Sequence, residues 1–344
     1  MSVARFSMRR AASRLATWSW RCGALAALAV VAIGAVGPAA AQSYPSKQVT
    51  IVVPLAAGSG VDLMTRFYAQ RLSTTLGKPV VIENKPGAAT MIGTAFVATS
   101  PPDGHTLLAA TSSAMAINPF LYKKIAYDPN KDFVPINFYL KSPFVLCVNP
   151  AIPARTVPEL IKLAKERSQP FTFGSPGAGT TQHLSVEYLK HKFGVNMTHV
   201  PYRSNPQYIN DLVAGHLSLA FVESASSSQL IAQGKLRGLA SATSERLQIL
   251  PDLPTLAEAV NDPSIETVSW HMLFAPAATP KDIVERLHTE TRKITTTAEF
   301  RNLLLVRGQV PVASPPVEGI KAYIRSEQDK WGSLVRRLGL AGSQ

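Results

Sequence analysis

Short apolar runs alternate with amphipathic stretches along almost the whole chain. Runs such as QVTIVVPL, HTLLAAT, PFVLCVNP and LSLAFV have the length and composition of buried strands. Segments such as TVPELIKLAKER and IKAYIRSEQDKWGSLVRRL repeat apolar residues at helical spacing, and Thr156 is a predicted N-cap with Pro158 in the first turn. This alternation predicts α/β layers whose sheets are largely parallel.

Two predicted strands lead through small-residue loops straight into predicted helices. The first unit is VVPLAAGSGVD (residues 52–62), followed by a helix predicted from Leu63 to Leu76, and the second is FGSPGAGTTQ (residues 173–182). The N-terminus of a helix leaves several backbone N–H groups unpaired and carries partial positive charge, so it binds anions. The sequence therefore predicts two anion-binding loops, in different lobes, that clamp one anion from both sides of a cleft.

Neither loop completes a nucleotide-binding or nucleophile motif. The third glycine of G-x-G-x-x-G is replaced by Leu63 in the first loop and by Gln182 in the second. The stretch GSPGAGTT lacks the lysine of a phosphate loop, and Phe173 stands where the motif G-x-S-x-G around Ser175 requires glycine. We therefore expect an anion other than a nucleotide, bound without a nucleophile.

Four polar side chains near the loops and strand ends are candidate contacts. Asp62 lies at the start of a helix, where a carboxylate most often caps the helix and orders the loop before it. His183 could donate to a ligand carboxylate or be a structural histidine, and Arg203 could pair with a carboxylate or lie in solvent. Glu223 is a further polar residue at a predicted strand end. The seven histidines form no H-x-x-x-H or H-x-H pair, so we expect neither a metal site nor a cofactor.

The first 41 residues have the pattern of a secretory signal peptide. Basic residues such as Arg9 and Arg10 precede the apolar run ALAALAVVAIGAV, and three alanines precede Gln42. The run is too short to span a bilayer, so we expect cleavage and export to the periplasm. Removing its five arginines from the 35 basic residues leaves 30 against 22 acidic ones, scattered singly, which disfavours a nucleic-acid surface. Cys147 is then the remaining cysteine, and its apolar neighbours predict a buried, inert thiol.

The mature sequence resembles the Bug family, the extracytoplasmic solute-binding receptors of tripartite tricarboxylate transporters. The segments that carry the resemblance, in family order, are YPSKQVTIVVPLAAGSGVD, PVVIENKPGA, AINPFLYKKIAYDPNKDFVPI, FGSPGAGTTQHL, HVPYR, GKLRGLA, LPDLPTLAEA and SPPVEGIKAYIRSEQDKWGSLVRR. The resemblance implies a two-lobed type II periplasmic-binding-protein fold, with two α/β domains joined by crossing strands. Lobe one would comprise residues 43–143 plus 268–344, and lobe two residues 144–267.

The resemblance also implies where the ligand and the partners bind. A small organic carboxylate is expected between the two loops, held mainly by backbone amides and ordered water. Integral membrane subunits of the transporter are the expected partners of a monomeric receptor. The ligand-binding positions implied are Leu55, Ala56, Ala57, Gly58, Ser59, Gly60, Thr111, Ser112, Ser113, Ser175, Pro176, Gly177, Ala178, Gly179, Thr180, Tyr202 and Phe221.

Three departures from the family pattern limit this transfer. Leu55, Ala56 and Ala57 stand in a loop that is usually rich in proline and glycine, and Ser204 stands where glycine is usual. Val222 follows Phe221 where aspartate or asparagine is common. The loss of that polar group predicts a carboxylate with an apolar or aromatic body instead of an amino acid.

Two other functions are compatible with the same residues. One is a ligand-sensing subunit that docks on a signalling protein, and the other, less favoured, is a secreted enzyme on this fold. No nucleophile, base and orienting acid come together in the sequence, so binding without catalysis is the simpler account.

Overall fold

Two β-sheets organise the part of the chain that the computed structural model describes, residues 44–262 and 265–344. The predicted signal segment, residues 1–41, lies outside the described residues. The six-stranded sheet has the order β11-β4-β10-β3-β1-β2, and the five-stranded sheet has the order β7-β6-β8-β5-β9. The strands are β1 (Val49–Val53), β2 (Val80–Asn84), β3 (Thr106–Thr111), β4 (Phe133–Ser142), β5 (Phe144–Val148), β6 (Phe171–Ser175), β7 (Met197–Pro201), β8 (Leu219–Glu223), β9 (Arg237–Ser241), β10 (Ser269–Pro276) and β11 (Val310–Pro311).

The two sheets share one topology. β1 pairs in parallel with β2 and β3, and β6 pairs in parallel with β7 and β8. β10 lies antiparallel between β3 and β4, and β5 lies antiparallel between β8 and β9. In each sheet the antiparallel strand inside the sheet, β10 or β5, is therefore the one that has just crossed from the other sheet, and the two-residue β11 adds antiparallel to β4 at the edge of the first sheet. We call the six-stranded sheet with its helices the first lobe and the five-stranded sheet with its helices the second lobe.

The chain crosses between the lobes twice. Pro143 alone separates β4 from β5. The return passage precedes β10, where Ser269 pairs with Ser142 and Thr267 donates its backbone N–H to Ala242 (2.9 Å), the residue that donates to Phe144 (2.8 Å). The two passages thus lie side by side and are hydrogen-bonded to each other.

Helices cover both sheets. Those of the first lobe are α1 (Gly60–Leu76), α2 (Met91–Ala98), α3 (Asn118–Leu121), α9 (Lys281–Thr295), α10 (Ala298–Leu305) and α11 (Val317–Arg337), with a 3₁₀ turn at Ala88–Thr90 and a π-helical turn at Ser113–Ile117. Those of the second lobe are α4 (Val157–Glu166), α5 (Thr181–Phe193), α6 (Asn205–Ala214), α7 (Ser224–Ala232) and α8 (Leu256–Val260). The predicted α/β layering is confirmed.

Local sequence signals explain where several helices begin. The Thr156 hydroxyl accepts the backbone N–H of Glu159 (3.2 Å), which confirms the predicted N-cap of α4. α1 begins at Gly60, three residues before the predicted start at Leu63, because Ser59 caps it. The small residues before Leu63 therefore belong partly to the helix.

The last helix closes the core of the first lobe. Its predicted apolar face is confirmed, since Ile320, Ile324, Trp331 and Val335 are buried. Trp331 and Trp270 of β10 both lie in this core, and both indole N–H groups donate to the buried Glu327 carboxylate (3.1 and 3.0 Å). Each apolar side chain buried in this way contributes about 1.5–3 kcal/mol to folding.

The second lobe buries an apolar cluster on each face of its sheet. Phe171, Phe173 and Phe221 belong to one cluster. Cys147 and Val222 belong to the other, and Cys147 is completely buried, as its sequence environment predicted. Burial raises the pKa of the Cys147 thiol well above its usual value, which keeps it protonated and inert.

Candidate functional site

The first loop, residues 54–59, joins β1 to α1 and is ordered by Asp62. The Asp62 carboxylate accepts the backbone N–H of Gly58 (2.8 Å), the side-chain amide of Asn84 (2.9 Å) and the guanidinium of Arg66 (3.0 Å). Asn84 also donates to the Leu55 carbonyl (3.0 Å). Asp62 thus ties the loop to β2 and to the first turns of α1.

Asp62 is almost completely buried. Burial raises its pKa, but the hydrogen bonds from Arg66, Gly58 and Asn84 outweigh that effect and lower it overall. The carboxylate is therefore ionised and already supplied with donors. In this arrangement the role of Asp62 is to order the loop.

The second loop, residues 176–180, joins β6 to α5 through two glycines with positive φ. Gly177 has φ 123° and Gly179 has φ 79°, conformations that glycine adopts at little cost. Thr180 caps α5 by accepting the N–H of His183 (3.4 Å), and it donates to the Gly177 carbonyl (2.8 Å). The loop is thereby closed on itself at the helix N-terminus.

Two histidines whose rings contact each other support the second loop. His199 Nε2 lies 2.7 Å from the Ser175 hydroxyl oxygen, within hydrogen-bond distance. His183 Nδ1 accepts the Gly179 N–H (3.4 Å). The two imidazoles are 4.2 Å apart between centroids and stack on Phe173. Burial lowers the pKa of His183 to about 3 and that of His199 to about 4, so both rings are neutral. His183 therefore orients the loop as an acceptor and carries no charge toward an anion.

A serine hydroxyl on an imidazole is also the arrangement of a catalytic nucleophile. Here, however, Ser175 is completely buried, and its hydroxyl bridges the N–H and the carbonyl of Gly177 (3.2 and 3.0 Å). Within the described residues no carboxylate hydrogen-bonds to the His199 ring. The pair shapes the second loop.

Both loops present backbone amides without acceptors. Within residues 44–262 and 265–344, the N–H groups of Ala57 and Gly60 in the first loop region and of Ala178 in the second donate no hydrogen bond. Each set lies at the N-terminus of a helix, α1 of 17 residues and α5 of 13. The two helix ends come from different lobes and are suited to an anion.

The second loop and α5 touch the first lobe directly. A Cβ on Gly179 would lie 2.6 Å from Leu121 Cδ2 and 3.2 Å from Asn118 Oδ1. The Ser112 hydroxyl, after β3, lies 3.0 Å from those of Thr181 at the start of α5 and Ser269 at the start of β10. The predicted segment Thr111 to Ser113 therefore lies where the two lobes meet, and all three residues are buried.

A third segment at this junction was not predicted. Ala88, Ala89 and Thr90 follow β2 and have φ values of 42°, 48° and 78°, a run of strained left-handed residues. The Asn118 side-chain amide donates to the Ala89 carbonyl (2.8 Å), and Tyr122 donates to the Ala178 carbonyl (3.4 Å). One sequence signal could have indicated this segment. It is a stretch of small residues directly after β2, the strand that neighbours β1.

Three further predicted positions lie on β8 or directly after β7. Phe221 is completely buried in an apolar cluster and offers no surface to a ligand in this conformation. Tyr202 donates its hydroxyl to Asp211 (2.6 Å), and burial together with that carboxylate raises its pKa to about 12. Arg203 is exposed, and its backbone N–H donates to the Gln207 side-chain oxygen (3.1 Å).

Val222 is completely buried in the second apolar cluster of the second lobe. Its side chain therefore does not face the junction between the lobes. The inference of an apolar ligand body, which relied on Val222, loses its basis. The polar residue that β8 does present at its end is Glu223.

Glu223 reaches from the second lobe to the start of α1. A Cβ on Gly60 would lie 2.9 Å from Glu223 Oε2, and Asn205 donates to Glu223 Oε1 (3.1 Å). No lysine or arginine of the described chain forms an ion pair with it. Burial raises the pKa of Glu223 more than the Asn205 hydrogen bond lowers it.

In the part of the chain that the structure describes, no group of three His, Cys, Asp or Glu side chains is placed to hold a metal ion. None of the described helices has the length and apolarity needed to cross a bilayer.

Known proteins resemble this chain over most of its length. The family model described as tripartite tricarboxylate transporter family receptor matches residues 64–340. Protein BugT of Bordetella pertussis is 30% identical over 318 residues, which cover 91% of this chain and 97% of BugT. Two solved structures resemble the fold. R. palustris Rpa4515 with adipate has a TM-score of 0.81 and 33% identity, covering 87% of this chain and 99% of that one. MatC from Rhodopseudomonas palustris with bound malate has a TM-score of 0.78 and 27% identity, covering 85% of this chain and 100% of that one.

These matches agree with the fold. Two lobes of shared topology, joined by crossing strands, are the architecture of the solved periplasmic binding proteins that the chain resembles. The chain belongs to the Bug family of tripartite tricarboxylate transporter receptors.

Proposed function

We propose that this protein is a periplasmic receptor that binds a small organic carboxylate between its two loops. The observation that carries the proposal is the pair of helix N-termini, one from each lobe, with unpaired amides at Ala57, Gly60 and Ala178. A carboxylate has lone pairs enough to accept from both ends at once. The printed ligands of two similar structures, adipate and malate, are also carboxylates, which supports the same class here.

The proposal includes delivery of the bound acid to integral membrane subunits of a tripartite tricarboxylate transporter. Family membership supports this partner. One chain is proposed as the binding unit, since both loops belong to it. The proposed lobes are residues 43–143 with 268–344, and residues 144–267, with rotation about the crossing passages closing the cleft. The signal at residues 1–41 would direct export, and N-terminal sequencing of exported protein should begin at Gln42.

A thermal-shift screen of the mature protein tests the binding proposal. Mono-, di- and tricarboxylates and aromatic acids are compared, with the corresponding amides as neutral controls. A ligand at one hundred times its Kd stabilises the folded state by about 2.7 kcal/mol, a readily measured shift. If no acid raises the melting temperature, or if amides and acids act equally, the carboxylate clamp is wrong.

The same screen separates binding from catalysis. The best ligand is incubated with stoichiometric protein and then recovered. A receptor returns it unchanged, whereas a product would mean that the protein is an enzyme. Gly179→Pro, which fixes φ near −65° and removes the N–H, should abolish the ligand-induced shift.

A further inference from the structure

Glu223 has a carboxylate whose hydrogen-bonding capacity is largely unused. A carboxylate can accept about four hydrogen bonds. In the described chain Glu223 accepts one, from the Asn205 side-chain amide (3.1 Å), and it has no cationic partner. It lies half-buried between the lobes, where water alone compensates it less well than at the open surface.

The position of Glu223 is set by the second sheet. β8 and β6 are parallel, with Phe173 opposite Leu219 and Gly174 opposite Ala220. The carboxyl ends of both strands therefore lie at one edge of the sheet, which brings Glu223 close to the second loop. Its carboxylate also lies against Gly60, the first residue of α1. A ligand carboxylate that accepts the Gly60 N–H would lie directly beside it.

A purely structural role for Glu223 at the start of α1 is poorly supported. The N-terminus of α1 is already capped by Ser59, and Asp62 already orders the loop. The Glu223 oxygens accept no backbone N–H from α1 in the described residues. The carboxylate thus faces the anion position without serving the helix.

We propose that Glu223 determines specificity by accepting a hydrogen bond from a hydroxyl or ammonium group on the ligand carbon next to the clamped carboxylate. The inference rests on the proposed function, because it assumes a carboxylate at the first loop. An unsubstituted acid leaves the Glu223 charge unpaired beside a second negative charge, whereas a donor substituent satisfies it. The receptor therefore selects 2-hydroxy or 2-amino acids over the unsubstituted acid with the same skeleton.

The test uses two matched series measured by calorimetric titration. Succinate, malate and aspartate share a four-carbon skeleton and differ at carbon 2, and adipate, 2-hydroxyadipate and 2-aminoadipate do the same with six carbons. In each series the wild type should bind one of the two substituted acids about tenfold to a hundredfold more tightly than the unsubstituted acid. This is the effect of one hydrogen bond to a charged group. Glu223→Gln should reduce that ratio at least about tenfold.

Glu285→Gln is the matched control. Glu285 is far from Glu223 in sequence, is exposed on α9 and pairs with Lys281 of the same helix. It removes one negative charge and should leave the ratio unchanged. A wild-type preference for the unsubstituted acid, or the same ratio in Glu223→Gln and wild type within about twofold, would overturn the proposal. Binding of none of the six acids, together with a flat carboxylate screen, would instead overturn the proposed function and this inference with it.

Discussion

Replacing Gly179 by alanine adds one methyl group where the second loop meets the first lobe. The new Cβ would lie 2.6 Å from Leu121 Cδ2 and 3.2 Å from Asn118 Oδ1. Leu121 is completely buried in the core of the first lobe, so it cannot turn away into solvent. The substitution should therefore push the second loop away from the first lobe.

Two costs in folding free energy add up at this position, one from the backbone and one from packing. Alanine at φ 79° costs about 1–2 kcal/mol for the left-handed backbone. Overpacking against Leu121 costs about 1–3 kcal/mol more. Gly179→Ala should thus lower the free energy of unfolding by about 2–5 kcal/mol. Because the second term opposes the contact between the lobes, it should also weaken ligand binding about fivefold to a hundredfold.

Gly194 provides the matched control. It ends α5, the helix that Gly179 precedes, with φ 61°, and a Cβ there would meet no atom within 4 Å. Gly194→Ala should cost only the backbone term of about 1–2 kcal/mol and leave ligand affinity unchanged.

The assay is urea unfolding followed by far-ultraviolet circular dichroism, together with calorimetric titration of the acid that gives the largest thermal shift. Equal losses of stability in the two variants would refute the overpacking argument. Equal affinities in wild type and Gly179→Ala would refute the claim that contact between the second loop and the first lobe accompanies binding.

Two further predictions concern charge. Asp62→Asn should lower the free energy of unfolding at pH 7 by about 1.5–3 kcal/mol, because it removes the charge that accepts the Gly58 N–H. Asp252→Asn, at an exposed turn, is the control and should change the free energy of unfolding little. Equal urea midpoints for the two variants would contradict the prediction. Burial lowers the pKa values of His183 and His271 from 6.5 to about 3. The unfolded chain therefore binds protons at these histidines before the folded protein does. The free energy of unfolding is highest above pH 6.5 and falls as the pH drops toward 3. Each should reduce stability by about 1.4 kcal/mol per pH unit in that range, and a urea midpoint that stays constant from pH 6.5 to 5 would contradict the assignment.

Local sequence patterns predicted the features that depend on neighbouring residues. The strand, small-residue loop and helix units appear where composition and periodicity indicated them, because a buried strand and a capped helix are each encoded within about ten residues. The Thr156 cap and the apolar face of α11 belong to this class. The burial of Cys147 was also readable, since its neighbours on both sides are apolar.

The features that were missed depend on residues far apart in sequence. His199 lies in a different strand from Ser175, so the local residue spacing does not predict that it supports the second loop. Glu223 meets Gly60 only because the two lobes face each other there. Val222 and Glu223 are adjacent in the chain, and sequence alone could not decide which of them faces the core. The antiparallel entry of β10 into the first sheet likewise follows from the crossing passage and not from its own residues.

The shared carboxylate of Glu327 has a consequence for spectroscopy. The sequence contains four tryptophans, and two of them, Trp18 and Trp20, lie in the predicted signal segment. Within the described residues the remaining pair, Trp270 and Trp331, donate to the same carboxylate oxygen in the core of the first lobe. In protein that lacks residues 1–41, intrinsic indole emission is therefore a reporter of that lobe alone. Loss of structure confined to the second lobe would leave the emission spectrum nearly unchanged, and an unfolding curve recorded by fluorescence would describe only one of the two lobes.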